Sequence, residues 1–227
     1  MTERKETDSG GVRISYLKEY RDSGIPIILL HGNGEDSSLY SDLIGMLSDD
    51  GFSVYVMDSR GHGMSGKVDR LRYGDMADDV MHLIRHERLE RPILFGFSDG
   101  GITGLLLAIK YPDALGRLIV AGINLSSDGI VLWARLLLRL IFLFTRSDKL
   151  RLMLTQPDIR AEQLRTIDVP TVVLYAEKDV VKLLHSETVA ENVRNGELIR
   201  LEGHTHDSYV RDNTKLYELL ADHIREE

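Results

Sequence analysis

Two hydrophobic runs constrain the fold more than any other feature of the sequence. Residues 25–30 and 169–174 are largely apolar at both odd and even positions, a pattern that predicts strands buried on both faces. A proline stands near the start of each run, where a missing backbone donor costs least. Strands of this kind belong in the centre of a parallel sheet that helices cover on both sides.

The rest of the chain alternates short β-branched and apolar runs with longer stretches of helical periodicity. Strands are predicted over residues 12–20, 26–31, 52–58, 92–97, 117–122, 171–176 and 197–201. Helices are predicted over residues 36–48, 73–89, 99–110, 183–195 and 207–224. This alternation predicts an α/β fold with a mostly parallel central sheet and helices on both faces.

Residues 124–167 interrupt the alternation, because no strand pattern occurs there. We expect this segment to form a small helical lid inserted into a single domain of residues 12–227. Its most apolar part, residues 130–145, carries Arg135 and Arg139 and falls short of the roughly 20 nearly uncharged residues of a membrane span. It is therefore not predicted to be a transmembrane helix.

Composition narrows the classes of partner and chemistry. A formal net charge of -8 disfavours nucleic acid as a partner. The chain has no cysteine, which excludes a disulfide framework and a thiolate nucleophile. Residues 1–11 are polar and charged and lack the apolar core of a secretory signal. We expect them to be a flexible tail and the protein to be cytoplasmic.

The turn Gly96-Phe97-Ser98-Asp99-Gly100 lies between a predicted strand and a predicted helix. Glycines on both sides of the serine remove β-carbons where the two backbones crowd together, so Ser98 can adopt a strained conformation with its hydroxyl exposed. The N–H of Asp99 at the start of the helix would face a carbonyl oxygen that becomes negative. This context predicts a nucleophile elbow with Ser98 as the nucleophile.

Two further motifs extend this pattern, and with them the chain resembles the α/β-hydrolase superfamily from about Val12 onward. His31-Gly32-Asn33-Gly34 is similar to the family's oxyanion loop, and the resemblance implies that the Asn33 N–H is the second oxyanion donor. The segment from Asp58 to Ser65 is similar to the family's D-x-R-G-x-G-x-S turn, which implies a structural role for this turn and for His62 within it.

The acid and the base follow from the same resemblance. Ala176-Glu177-Lys178-Asp179 is similar to the family's G-x-x-D segment with its glycine replaced, which implies that Asp179 is the acid and leaves Glu177 as a competitor. Alignment of residues 203–206 with the family's G-x-G-H motif implies that His206 is the base, although the Gly203-His204 pair leaves His204 as an alternative. The order Ser98, Asp179, His206 is the order expected of this fold.

The chemistry that the resemblance implies is acyl transfer without metal or cofactor. Ser98 would attack an ester carbonyl, His206 would take its proton, and Asp179 would orient the imidazole. A carboxylesterase is the first interpretation; a carbon–carbon bond hydrolase, a thioesterase and a perhydrolase would use the same triad. Ser98 argues against a haloalkane dehalogenase, since those members present an aspartate there. A protein that keeps the fold and only binds a ligand is an alternative of another class.

The apolar lid suggests the nature of the substrate. Because the family carries its cap between the sixth and seventh strands, the leucine-rich stretch is expected to form an apolar pocket wall over Ser98 and to favour a small apolar substrate. The same leucines could instead only pack the lid onto the body. Lipid contact, with Arg135, Arg139 and Arg146 near anionic head groups, is a third interpretation; the acidic net charge makes membrane contact the less favoured one.

Overall fold

The computed structural model describes residues 1–225 and contains one eight-stranded sheet. Its strands follow the order β1-β2-β4-β3-β5-β6-β7-β8. The strands are β1 (Glu3–Ser9), β2 (Val12–Glu19), β3 (Ile25–Leu30), β4 (Phe52–Met57), β5 (Ile93–Phe97), β6 (Arg117–Ala121), β7 (Thr171–Lys178) and β8 (Gly196–Thr205). Strand β2 pairs antiparallel with both β1 and β4, and every other pairing is parallel.

Helices cover both faces of the sheet. They are α1 (Ser41–Asp49), α2 (Tyr73–His86), α3 (Asp99–Lys110), α4 (Leu132–Thr145), α5 (Asp148–Thr155), α6 (Ala161–Leu164), α7 (Leu183–Asn192), α8 (Ser208–Arg211) and α9 (Asn213–Ile224). Helices α2, α3 and α7 contribute to the core on one face, and α1 and α9 to the core on the other. The predicted fold class is confirmed.

Strand β3 shows why the hydrophobic runs were informative. Ile28 and Leu30 point into one core, whereas Ile27 and Leu29 point into the other. All four side chains are fully buried, as expected when side chains of a strand alternate between two covered faces.

The flexible tail predicted for residues 1–11 is wrong for most of its length. Residues Glu3–Ser9 form β1, which pairs with β2 from Glu3 opposite Lys18 to Ser9 opposite Val12. Gly10 and Gly11 both have positive φ values, 61° and 85°, and they form the two-residue turn of a β-hairpin. The polar composition that suggested disorder is that of a solvent-exposed edge strand.

Strands β7 and β8 extend beyond the predicted ends of 176 and 201. After a register shift between Ala176 and Lys178, Lys178 still pairs with Thr205. The two strands therefore project as a two-stranded extension past the carboxyl edge of the sheet. Asp179 and His206 each follow directly after one of these strands, so the extension brings two distant positions in the sequence side by side.

The insertion of residues 124–167 leaves the sheet after β6 and returns to β7. It contains α4, α5 and α6, and an isolated antiparallel bridge joins Ser126 to Asp158 within it. A second isolated bridge joins Ile130 to Val181, beyond β7. Within residues 1–225, no helix combines the length and the hydrophobicity needed to cross a bilayer.

Candidate active site

Ser98 occupies a sharp turn between β5 and α3. Its φ of 52° and ψ of -114° place a non-glycine residue in a strained region of backbone space. A β-carbon on Gly96 would lie 2.4 Å from the Gly100 carbonyl oxygen, and one on Gly100 would lie 2.4 Å from that of Leu30. The two glycines therefore permit the close approach that forms the turn.

The structure brings Ser98, His206 and Asp179 together. The His206 Nε2 atom lies 3.3 Å from the Ser98 Oγ atom, and His206 Nδ1 lies 2.6 Å from Asp179 Oδ1. The Asp179 side chain is fully buried and also accepts a hydrogen bond of 2.8 Å from the Val181 N–H. With the proton on Nδ1 donated to Asp179, Nε2 is free to accept a proton from the serine hydroxyl.

The buried carboxylate is only partly satisfied. Asp179 Oδ2 has no hydrogen-bond partner within residues 1–225. The Asp179 carboxylate therefore contacts His206 through Oδ1, the oxygen that also accepts from the Val181 N–H.

The competing residues lie elsewhere. His204 Nδ1 is 3.1 Å from the Ser208 Oγ atom, and its ring packs edge-on against Tyr209. Glu177 accepts a hydrogen bond of 2.7 Å from the Gly203 N–H and so links the two strands of the extension. Neither side chain makes a hydrogen bond with Ser98 or His206 among the described residues.

His62 also lies outside the site. Its Nδ1 atom is 3.1 Å from the Arg60 carbonyl oxygen, and burial lowers its pKa to about 4. The Arg60 guanidinium forms two hydrogen bonds of 2.6 and 2.7 Å with the buried Asp79 on α2. The turn of residues 58–65 is thus held by a bidentate ion pair, which suits the structural role that the resemblance implied.

The loop of residues 31–34 lies beside the elbow. The Asn33 side-chain amide donates a hydrogen bond of 2.8 Å to Asp99 Oδ2 and one of 3.2 Å to the Lys149 carbonyl oxygen of α5. Asn33 and Asp99, whose backbone N–H groups were predicted to stabilise an oxyanion, are therefore joined through their side chains. As the first residue of α3, Asp99 has an N–H without an intrahelical acceptor.

Asp99 is a buried carboxyl group beside Ser98, a feature that sequence reasoning missed. Its Oδ1 atom accepts a hydrogen bond of 2.7 Å from the Tyr73 hydroxyl. Burial raises the pKa of Asp99, and the hydrogen bonds from Tyr73 and Asn33 oppose that rise. The side chain therefore connects the turn at Ser98 to α2 and to the loop of residues 31–34.

Gly122 is a second residue that sequence reasoning missed. It follows β6 with a φ of 62°, and a β-carbon there would lie 2.7 Å from His206 Cε1 and 3.0 Å from Nδ1. The imidazole ring therefore rests on a position that admits no side chain. Gly122 is the last residue of the predicted strand 117–122, but the sequence does not show that an imidazole would lie against it.

Two cavities meet at Ser98. One of about 190 Å³ is lined mainly by apolar side chains from the insertion and from the loop after β7. Its lining includes Ile130, Ala134, Leu137, Leu138, Met153, Val180 and Val181, together with Ser98 and His206. The other, of about 340 Å³, also reaches Ser98 and His206 but has Glu35, Asp207 and Arg211 in its wall. The site thus has an apolar side and a charged side.

The described residues offer no metal site: no group of three or more His, Asp or Glu side chains in residues 1–225 is arranged to hold an ion. The chemistry that the geometry offers is proton transfer from a hydroxyl to an imidazole beside a buried carboxylate.

A comparison with known protein families identifies the family of this chain. The sequence model of Hydrolase_4, described as serine aminopeptidase S33, matches residues 25–160, more than half of the chain. The chain belongs to this family of α/β-hydrolases. The match includes the loop of residues 31–34 and Ser98, whereas Asp179 and His206 lie beyond it.

Curated relatives of this α/β-hydrolase are matched over part of their length. A haloalkane dehalogenase of Mycolicibacterium paratuberculosis is 38% identical over 117 residues, covering 50% of this chain and 39% of that protein. The human serine hydrolase BPHL is 26% identical over 203 residues, covering 77% of this chain and 70% of that protein. The chain spans about two fifths of the length of the first curated relatives it matches, 39% and 40%.

Solved structures agree with the fold over nearly the whole chain. The enol-lactonase from Burkholderia xenovorans has a TM-score of 0.79 at 17% identity and covers 98% of this chain and 100% of its own. The esterase RhEst1 from a Rhodococcus species has a TM-score of 0.78 at 20% identity, covering 96% and 97%. At these identities the likeness concerns the fold alone.

Proposed function

We propose that this α/β-hydrolase is a serine hydrolase that cleaves ester-type bonds of small substrates with an apolar acyl group. The observation that carries the proposal is the hydrogen-bonded series Ser98, His206, Asp179 at one end of an apolar cavity. A serine hydroxyl is barely nucleophilic on its own and needs an adjacent base, and that base needs a partner to orient it.

The proposed reaction proceeds through an acyl-enzyme. Ser98 Oγ attacks the carbonyl carbon while its proton passes to His206 Nε2, and Asp179 stabilises the resulting imidazolium. The imidazolium then gives its proton to the leaving alcohol oxygen. In the second half, His206 takes a proton from water while the water oxygen attacks the acyl carbon. The bond from that carbon to Ser98 Oγ then breaks, His206 returns its proton to Ser98 Oγ, and the acid is released.

The backbone N–H groups of Asn33 and Asp99 are proposed to stabilise the oxyanion. They lie at the start of α3 and on the adjacent loop, and the Asn33–Asp99 hydrogen bond fixes the position of one donor relative to the other. Donors that are fixed before reaction need no reorganisation when charge develops on the carbonyl oxygen.

The two cavities suggest how the substrate lies. The apolar side would take the acyl group, since burial of methylene groups against leucine and methionine side chains is favourable. The charged side would take the alcohol part and open to solvent. Dehalogenation, named for the relative of 38% identity, would need a carboxylate nucleophile, whereas the elbow presents Ser98.

The first test is Ser98→Ala. We expect kcat/KM for p-nitrophenyl butyrate to fall by about a thousandfold or more and covalent labelling by a fluorophosphonate probe to disappear. Ser38→Ala, which alters an exposed serine, is the matched control and is expected to keep both. An unchanged rate in Ser98→Ala would overturn the proposal. Folded wild-type protein without labelling or turnover would favour a ligand-binding protein.

The second test distinguishes the two histidines. His206→Ala is expected to lower kcat by about a thousandfold or more because the proton acceptor of Ser98 is lost. His204→Ala removes only contacts with Ser208 and Tyr209 and is expected to stay within about threefold of wild type. A larger loss in His204→Ala than in His206→Ala would reassign the base.

A further inference from the structure

Helix α4 exposes an unusual apolar surface. Trp133, Leu137 and Phe144 are 64%, 50% and 82% exposed. At 100° per residue these three positions lie within one side of the helix. The outward-facing apolar set, here called the α4 face, is Leu132, Trp133, Leu136, Leu137, Leu140, Leu143 and Phe144. A surface helix normally turns polar residues to water, and contiguous exposed apolar side chains mark an interaction site.

The charged residues of the segment that carries the α4 face are all positive. Residues 129–147 contain Arg135, Arg139 and Arg146 and no aspartate or glutamate, in a chain whose formal net charge is -8. None of the three arginines forms an ion pair with another described residue. The acidic net charge that disfavoured membrane contact is therefore located elsewhere on the surface.

The α4 face is continuous with the apolar cavity at Ser98. Leu137 is half exposed and also lines that cavity, and Ala134 and Leu138 line it from the inner side of the same helix. One helix thus separates the candidate nucleophile from whatever covers its outer face.

We propose that the α4 face docks on the surface of an anionic lipid layer. The apolar side chains would enter the boundary between head groups and acyl chains, and the arginines would contact lipid phosphates. A second copy of α4 is a poorer occupant, because it would bring three more cations and no carboxylate. A helix of 14 residues is about 21 Å long, too short for a span of about 30 Å, so it would lie in the plane of the interface.

A consequence, which rests on the proposed function, concerns the source of the substrate. An ester dissolved in the lipid layer would reach Ser98 along α4 without its acyl group crossing water. The favoured substrate would then be an ester of a lipophilic acid presented by an interface, rather than one free in solution.

The docking test uses the sole tryptophan, Trp133, and the Ser98→Ala protein, so that no catalysis enters the measurement. With vesicles of phosphatidylcholine and phosphatidylglycerol we expect a blue shift of tryptophan emission and quenching by brominated acyl chains. Vesicles of phosphatidylcholine alone should bind less, by about fivefold or more for each arginine that contacts the surface. Unchanged emission with both kinds of vesicle would overturn the proposal.

Surface variants identify the docking residues. Leu140→Ser and Phe144→Ser, both outside the cavity lining, are expected to weaken vesicle partitioning by about tenfold or more each. Leu184→Ser, at an exposed leucine of α7, is the matched control and should bind as wild type. A dimer that dissociates in Phe144→Ser, with vesicles leaving Trp133 emission unchanged, would assign the α4 face to a second copy and overturn lipid docking.

Activity measurements separate the two proposals. In an otherwise wild-type chain, Phe144→Ser is expected to hydrolyse a soluble short-chain ester at the normal rate and a vesicle-embedded ester about tenfold more slowly. Equal rates on the embedded ester would overturn the interfacial substrate. If wild type hydrolyses neither ester while Trp133 still responds to vesicles, the proposed hydrolase function fails and docking stands.

Discussion

Asp99 is a buried carboxyl group directly after Ser98, the proposed nucleophile. Tyr73 and Asn33 donate hydrogen bonds to its two oxygens, so its position is fixed from α2 and from the oxyanion loop. Burial nevertheless raises its pKa, which means that the folded protein holds this proton more tightly than the unfolded chain does. Ionisation of Asp99 therefore opposes folding.

Asp99→Asn tests this linkage. Between the usual carboxyl pKa and the raised pKa of Asp99, the folded state binds more protons than the unfolded state, so wild-type stability falls as pH rises. The asparagine cannot ionise and can keep both contacts by accepting from Asn33 and donating to Tyr73. The free energy of unfolding of Asp99→Asn relative to wild type should therefore increase with pH through that window and then level off.

Denaturant titrations at a series of pH values would measure the effect, with Asp113→Asn at an exposed position as the control. A difference between Asp99→Asn and wild type that stays constant over the pH series would contradict the assigned shift.

Helix α4 is apolar both on its inner side, which lines the cavity at Ser98, and on its outer side, which is exposed. Ala134 is the buried residue of the helix and lies in the wall of the cavity beside Ser98. Ala134→Phe should fill much of that cavity and lower kcat/KM for octanoyl esters by about tenfold or more, while acetyl esters should react at close to the normal rate. Kinetics over a series of acyl lengths would measure this.

Leu136→Phe, on the outer side of the same helix, is the control and should leave the acyl preference unchanged. A uniform loss across all acyl lengths in Ala134→Phe would indicate a displaced helix instead of a filled pocket.

Helix α4 also shows where periodicity stops being informative. For α3 the apolar pattern predicts a helix over residues 99–110, and the observed helix has the same bounds, Asp99–Lys110. In α4 nearly every position is apolar, so the sequence does not indicate which side faces the body. The structure exposes leucine, tryptophan and phenylalanine side chains on one side of this helix, which the pattern does not predict.

At the scale of the whole molecule, the edge strand β1 contacts the turn that follows β4 at the carboxyl edge of the sheet. Arg4 donates hydrogen bonds of 3.1 Å to Asp58 Oδ2, 2.9 Å to Ser15 Oγ and 3.1 Å to Ser37 Oγ. The Asp58 side chain is almost completely buried and also accepts from the Ser37 N–H at 2.7 Å. The first residues of the chain thus support the turn of residues 58–65.

Arg4→Ala should lower the free energy of unfolding by about 1–3 kcal/mol, because the buried Asp58 carboxylate loses its ion pair with Arg4. Lys5→Ala, at the adjacent exposed position, is the control and should change stability by less than about 0.5 kcal/mol. Urea denaturation would compare the two. A flexible N-terminus would make both substitutions neutral.

The sequence predicted best those features that depend on residues close together in the chain. The buried strands, the elbow glycines and the order of Ser98, Asp179 and His206 could all be read from local motifs. Gly122 and Asp99 could not, since their importance depends on which side chain another part of the chain places against them. Strand β1 was missed because an edge strand needs no hydrophobic signal.

The two-stranded extension formed by β7 and β8 has a mechanical consequence. The Asp179 carboxylate and the His206 imidazole directly follow the two strands of this extension, whereas Ser98 directly follows β5 in the middle of the sheet. A displacement of this extension would leave the 2.6 Å contact between Asp179 and His206 unchanged, and it would alter the 3.3 Å distance from His206 to Ser98 and the packing of the imidazole on Gly122. Binding of a molecule to the extension would therefore change the distance between the proposed base and the proposed nucleophile.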